Sequence, residues 1–294
     1  KTEKIRKELD EGKVIIVAGF QGITEEGEIT TLGRGGSDTT AVAVAAATNA
    51  DLCEIYTDVD GVYTADPRMV QNTSKLAMIT HDEMLELASL GAKVLHPRSV
   101  EIAKIHDVRL CVRSSFDTTK EGTFVVSREQ LEKEFVVTGL ACDQKVAKVG
   151  IFDLEDKPGS ATKVFQALAN ANVNVDMIVQ SAMRNDLNDI AFTVPKDEVE
   201  TALEVLEALK SELSMSEIVY STDVAKVSIV GAGMITSPGV AAKMFSVLAD
   251  NGINIEMIST SEIKVSCIID KNNDIPKKAM QALHDAFELD KING

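Results

Sequence analysis

Short, unbroken apolar runs fenced by glycines and polar breaks fill the first third of the chain. Residues 2–11 read as a polar helix. Gly12 then leads into Val14-Ile15-Ile16-Val17-Ala18, an unalternating run that predicts a strand buried on both faces. Gly19-Phe20-Gln21-Gly22 breaks it, and the polar excursion around Glu25-Glu26-Gly27 predicts a hairpin. A small-residue run at 39–47 predicts a buried helix. Residues 52–57 predict a second buried strand running into Asp58-Val59-Asp60-Gly61. Thr80-His81-Asp82-Glu83 has the form of a capping box opening a helix that Gly91 ends. Pro97 suits the first turn of a helix toward Ile105, and 108–112 reads as another strand. Strands alternating with helices predict an α/β fold with a mainly parallel sheet.

Residues 117–134 turn polar and read as a linker. Beyond them the sequence repeats itself. Val146-Ala147-Lys148-Val149 recurs as Val224-Ala225-Lys226-Val227, Pro158-Gly159 as Pro238-Gly239, and Lys163-Val164-Phe165 as Lys243-Met244-Phe245. Asn174-Val175-Asp176-Met177-Ile178 recurs as Asn254-Ile255-Glu256-Met257-Ile258. Each copy reads strand, Pro-Gly turn, helix, strand, strand, helix, the ferredoxin-like βαββαβ plan. The first copy closes with a strand at 217–221. The second runs out after a helix at 276–287, so the otherwise orphan strand at 135–141 is expected to supply its missing edge. The expected division is 1–116, a linker at 117–134, a first unit at 146–222, and a second from 135–145 with 223–294.

Composition narrows the function classes. The 294 residues are 45% hydrophobic and 26% charged, with a formal net charge of −16. That balance argues against nucleic-acid or anionic-membrane partners, which require a basic footprint. No apolar run approaches the length of a membrane span, and the polar start is not a signal peptide. Cys53, Cys111, Cys142 and Cys267 are scattered without CxxC spacing and read as buried thiols of a reducing compartment, the cytoplasm. The four histidines form no metal-binding pattern, so no protein-held metal is expected. The first residue is Lys, which suggests that the sequence begins inside a longer polypeptide.

Two segments carry candidate chemistry. In Gly33-Arg34-Gly35-Gly36-Ser37-Asp38, glycines let backbone N–H groups converge before a helix N-terminus, and Arg34 is placed to grip a carboxylate. Ser37 and Asp38 read equally as N-caps. The segment is neither a Walker A loop nor GxGxxG. The loop after 52–57 offers Thr57, Asp58, Asp60 and Gly61 where ligands of open α/β sheets lie. Tyr63 adds a ring for a nucleobase, and Arg68 and Lys93 add positive charge for phosphates. A solvated turn at Asp66-Pro67 is the plain alternative.

Those segments, together with Gly19-Phe20-Gln21-Gly22, the run from Tyr56 through Arg68, and Gly91-Ala92-Lys93-Val94-Leu95-His96-Pro97, resemble consecutive signatures of the aspartokinases. The repeats resemble that family's tandem ACT domains. The resemblance implies the rear part of an amino-acid-kinase αβα sandwich followed by two ACT units. It implies ATP-dependent phosphorylation of the β-carboxylate of L-aspartate to 4-phospho-L-aspartate, opening the route to lysine, threonine and methionine. Phe20, Arg34, Gly35, Gly36, Ser37 and Asp38 would bind aspartate, with Asp38 also assigned to catalysis. Thr57, Asp58, Tyr63, Arg68 and Lys93 would surround ATP, which brings Mg²⁺ with it.

Lysine, threonine or both would act as effectors at Asp156, Ser160, Ala161, Asn174, Val175, Asp176 and Gln180, although strand-end turn chemistry explains Asn174 and Asp176 equally well. A homodimer or higher oligomer through the ACT units is expected. The family's Lys-Phe-Gly-Gly-Thr segment does not occur in the sequence, so these residues alone are expected to lack activity. The competing readings are a non-catalytic regulatory subunit and a related kinase with another acceptor.

Overall fold

The computed structural model describes residues 3–92, 94–131, 135–181 and 186–292. It opens with α1 (Glu3–Asp10), then a hairpin of β1 (Gln21–Ile23) and β2 (Ile29–Thr31). Residues 13–19 join no ladder, and Val14 and Ile16 are 93% and 96% exposed. The buried strand expected at 14–18 is therefore not formed. An apolar run becomes a strand only beside a backbone that accepts its hydrogen bonds, and none of the described residues offers one.

Next come α2 (Gly36–Thr48), β3 (Cys53–Thr57), β4 (Met78–Thr80), α3 (His81–Ser89), α4 (Pro97–Ile105), β5 (Leu110–Ser114) and β6 (Thr123–Val126). Their sheet has the order β3-β5-β6-β4. The β3/β5 and β4/β6 pairings are parallel, and β5/β6 is antiparallel. β6 lies inside the stretch read as a linker. Its four residues are flanked by polar ones that hide it in the sequence. They are secured by buried Thr123, whose Oγ1 donates to the Leu76 carbonyl at 2.6 Å and accepts from Val62 N–H at 2.8 Å.

The first ACT-like unit is β8 (Val146–Glu155), α5 (Ser160–Asn170), β9 (Ile178–Gln180), β10 (Leu187–Pro195), α6 (Val199–Leu209) and β11 (Glu217–Ser221), preceded in the chain by β7 (Gly139–Asp143). Its antiparallel sheet has the order β11-β8-β10-β9. The second comprises β12 (Val224–Val230), α7 (Val240–Asp250), β13 (Met257–Thr260), β14 (Lys264–Asp270) and α8 (Ile275–Ala286), in a sheet ordered β13-β14-β12-β7. β7 thus stands beside β12 where β11 stands beside β8, with Cys142 opposite Val227. The expected edge strand at 135–141 is observed shifted toward Asp143.

The hydrophobic cores divide unevenly. One continuous core runs from Val42 and Met84 of the first part through Leu140 into Val227, Met244 and Leu283 of the second unit. The first unit has its own core around Phe192, Leu168 and Leu206. The two units meet at a small cluster containing Val146, Met177, Val224 and Met257, each pair occupying matched repeat positions. Two ion pairs flank it reciprocally, Lys148 with Glu256 and Lys226 with Asp176. Among the described residues no helix is long and apolar enough to cross a membrane.

Candidate functional site

The glycine-rich turn opens α2. Gly33 and Gly35 take positive φ (+76° and +73°), and Gly35 occupies the N-cap without any side-chain cap. Ser37 and Asp38 therefore sit within the first helical turn, so the N-cap reading is corrected for both. The helix begins two residues too early for Ser37 to cap it and three too early for Asp38. Gly36 N–H donates to the Gly33 carbonyl at 3.0 Å, and the Ser37 and Asp38 N–H groups that follow remain open toward the turn. A Cβ at Gly35 would lie 2.2 Å from Cγ of His96. That contact and the positive φ both demand glycine there.

Phe20, at φ +66°, lies against Gly36, whose hypothetical Cβ would be 3.1 Å from the ring. The Phe20 carbonyl accepts from Leu32 N–H at 3.0 Å, holding the ring beside the turn. Arg34 and Ser37 are exposed, and Arg34 makes no hydrogen bond or ion pair among the described residues. Burial pushes the Asp38 carboxyl above its usual range, opposed by the backbone N–H of His96, which donates to it, and by the nearby His96 ring. His96 itself caps α4, its ring nitrogen accepting from Arg98 N–H at 3.3 Å. Sequence reasoning gave His96 no role, although it stands within the 91–97 motif.

α2 and α4 each lead into one of the parallel strands β3 and β5, so their N-termini lie toward the carboxyl edge of that sheet. The loop after β3 starts at the same edge. Thr57 Oγ1 donates to Asp58 at 3.1 Å, and the Thr57 carbonyl accepts from Ser115 N–H at 2.8 Å. Tyr63 donates its hydroxyl to Asp60 at 2.9 Å, and Lys75 stands 3.7 Å from the same carboxylate. Burial and Asp60 push the Tyr63 hydroxyl up.

Asp66 holds Arg68 by a fork, Nε at 3.0 Å and Nη2 at 2.7 Å, and Arg68 in turn depresses the Asp66 carboxyl. The Arg68 side chain is nonetheless 87% exposed, a cation aimed outward by its partner. Lys93 lies outside the described residues.

The first ACT-like unit carries a cleft of about 460 Å³ where its Pro-Gly turn meets β9 and β10. Gly159 caps α5 at φ +100° with no side-chain cap, leaving helix N–H groups toward the cleft. Asp156, Ser160, Ala161 and Gln180 line it, with buried Asn188 and Ile190 beneath. Asn174, Val175 and Asp176 do not. Asn174 N–H donates to Glu198 at 2.7 Å, Val175 packs on the unit's core, and the Asp176 carboxylate pairs with Lys226. These three are taken up by strand-end and inter-unit contacts.

Among the described residues no group of three or more His, Cys, Asp and Glu could hold a metal ion. The four cysteines are free, with Cys53 pushed to about 11 and Cys142 and Cys267 to about 12, chiefly by burial.

Comparison with known proteins agrees with this layout. Residues 1–114 match the amino acid kinase family, and 153–209 and 227–287 match the ACT domain. The chain is 54% identical over 288 residues to the aspartokinase of Bacillus sp. strain MGA3, spanning 98% of itself and 69% of that protein. It is 50% identical over 290 residues to aspartokinase 2 of Bacillus subtilis, spanning 99% of itself and 70% of the relative. Among solved structures, Clostridium acetobutylicum aspartate kinase superposes with a TM-score of 0.85 at 27% identity, over 97% of this chain and 66% of that one. Escherichia coli aspartokinase III in complex with aspartate and ADP gives 0.80 at 30% identity, over 96% and 62%. The chain belongs to the aspartokinase family.

Proposed function

We propose that the protein transfers the γ-phosphoryl group of ATP to the β-carboxylate of L-aspartate, yielding 4-phospho-L-aspartate. In this reading it acts in the cytoplasm at the head of lysine, threonine and methionine synthesis. The observation that carries the reading is the uncapped, glycine-rich start of α2, with exposed Arg34 and a half-buried Asp38 held by His96. It lies at the sheet edge from which the Thr57–Arg68 loop begins. Arg34, the open N–H groups and Ser37 hold the acceptor amino acid, and Asp38 orients it at the reacting centre. Thr57, Asp58, Tyr63, Arg68 and Lys93 surround the nucleotide, which arrives as the Mg²⁺ complex.

Phosphoryl transfer requires chiefly positioning and charge neutralisation, which these groups supply without a covalent nucleophile. The aspartate and ADP held by the E. coli relative support this choice of substrates. That relative has also been solved with lysine and aspartate, which supports an amino-acid effector. We assign lysine, threonine or both to the cleft at Asp156, Ser160, Ala161 and Gln180, with the ACT units also providing the oligomer contact. The division into a kinase part, a first unit at 146–222 and a second from 135–145 with 223–294 follows the same reading.

The test is hydroxylamine trapping of an acyl phosphate from ATP and aspartate by the full-length polypeptide that carries this sequence. Arg34→Ala is expected to lower kcat/KM for aspartate by at least about 100-fold, the scale of losing a charged bidentate contact. Turnover of ATP with another carboxylate and none with aspartate would overturn the substrate assignment.

A further inference from the structure

The loop that carries Tyr63, Asp66 and Arg68 has little regular structure of its own. Between β3 and β4 its backbone pairing is a single bridge, Tyr63 to Lys75, with a few turn bonds around it. Thr123 of β6 holds its two ends at Val62 and Leu76, and groups from the second ACT unit hold its middle. Thr64 and His284 are both fully buried, and Thr64 Oγ1 shares a 3.0 Å hydrogen bond with His284 Nε2 from α8. The same hydroxyl accepts from Ser74 N–H at 3.1 Å, across the neck of the loop. The Thr64 carbonyl accepts from Leu140 N–H of β7 at 2.7 Å. Two further bonds tie the loop's return limb to the same unit. Gln71 N–H donates to the Gln281 side chain at 2.8 Å, and Ser74 Oγ donates to the Asp290 carbonyl at 2.9 Å.

Thr64 adjoins Tyr63 and lies one turn from the Asp66–Arg68 fork, so a shift of Thr64 moves the groups that would meet the nucleotide. Burial also depresses the His284 ring, which keeps it neutral and free of the cost of a buried charge. A buried polar pair between two elements is costly to break, because each partner then lacks a hydrogen bond.

We propose that His284 is a positioning residue for the nucleotide loop, fixing Thr64 from α8 so that the second ACT unit sets the placement of Tyr63 and Arg68. The proposal rests on the nucleotide reading of that loop. It makes the second unit part of the machinery that shapes the ATP site, beyond any role in effector binding.

The test has two arms on the full-length polypeptide. In His284→Ala and, separately, Thr64→Val, hydrogen exchange at the amides of 62–76 accelerates about tenfold, the scale of one lost buried hydrogen bond. Amides of β8 and β10 keep their wild-type rates. In kinetics, KM for ATP rises about tenfold while kcat stays within about twofold, and Thr64→Ser, which keeps the hydroxyl, restores both exchange and KM. Unchanged exchange at 62–76 would overturn the proposal. So would acceleration spread equally over the first unit, or equal losses in KM and kcat that Thr64→Ser fails to rescue. A wild-type protein that turned over no ATP would refute the kinase reading, and the exchange arm would still decide whether His284 holds the loop.

Discussion

The two ACT units are built from the same sequence blocks and the same strand order, yet they are joined to the molecule in opposite ways. The first closes its sheet with β11 from its own C-terminal end and keeps a core of its own. The second closes with β7, a strand made before the first unit begins, and its core continues into the kinase part. Polar contacts reinforce that continuity. Glu83 accepts from the Thr138 hydroxyl at 2.6 Å and the Ala232 N–H at 2.9 Å, and Lys264 pairs with Glu86 at 2.8 Å.

The lesson is topological. Because β7 directly follows the kinase sheet, the second unit must assemble against that sheet and the first is left as an appended body, although each keeps a cleft at its Pro-Gly turn, about 460 Å³ in the first and 520 Å³ in the second. In the function proposed above, the first repeat senses the amino acid and the second transmits its binding.

Core substitutions break this contrast most forcefully. Phe192→Ala removes a fully buried ring that stacks edge-on against Phe165, at a cost of about 3–5 kcal/mol. Hydrogen exchange should show the loss confined to 146–222, with the kinase part and second unit still protected; collapse of all three together would contradict separate cores. Glu83→Ala should do the reverse. It strands the Thr138 hydroxyl and the Ala232 and Thr80 amides in a buried joint, costing about 3 kcal/mol. Denaturant unfolding followed by exchange should show the kinase part and second unit loosening while β8 and β10 stay protected.

The inter-unit ion pairs sharpen the comparison at smaller scale. The Lys226 side chain is only 6% exposed, with its partner Asp176 at 48%, whereas Lys148 and Glu256 are 24% and 27% exposed, so the test falls on the buried ammonium. Lys226→Met should therefore leave a larger coupling in a double-mutant cycle with Asp176→Asn, about 1–2 kcal/mol, than Lys148→Met with Glu256→Gln, below about 1 kcal/mol. Equal couplings would mean that burial at this joint does not matter.

Acid gives the mildest discrimination. His81 and His284 are buried, and desolvation depresses both rings, so the unfolded chain binds their protons more readily than the folded one. Their contribution is present above the unfolded value near 6.5 and is lost as pH falls below it toward the depressed folded values. No histidine lies in 146–222. Exchange at pH 5.5 against pH 7.5 should loosen the kinase part and second unit ahead of the first, and the opposite order would break the assignment.

Features governed by local rules were legible in the sequence. The Thr80–Glu83 capping box and Pro97 at a helix start are observed as read, and the four matched blocks fall at matched positions of two like units. The glycine turn around Arg34 also read correctly as a special backbone, since only glycine suits φ near +73° beside a histidine ring. What failed depended on distant partners. The 14–18 run has strand composition but no neighbour among the described residues, and β6 is too short and too polar at its flanks to stand out. Ser37 and Asp38 read as caps because residue type suggests a cap without fixing where the helix starts. Glu83 was legible as half of a capping box, while its second oxygen serves residues 55 and 149 positions away. Nothing local marks Asp176 for Lys226 or Thr64 for His284.

The division between a sensing and a transmitting unit is tested most directly by hydrogen exchange on the full-length polypeptide with saturating lysine, threonine or both. The account predicts that protection gained on binding begins at 154–161, 178–180 and 187–190, around the first unit's cleft. Gln180→Ala should weaken it without altering exchange in the absence of the amino acid. Protection arising first at the second unit's Pro238-Gly239 turn, or no change with either amino acid, would contradict it.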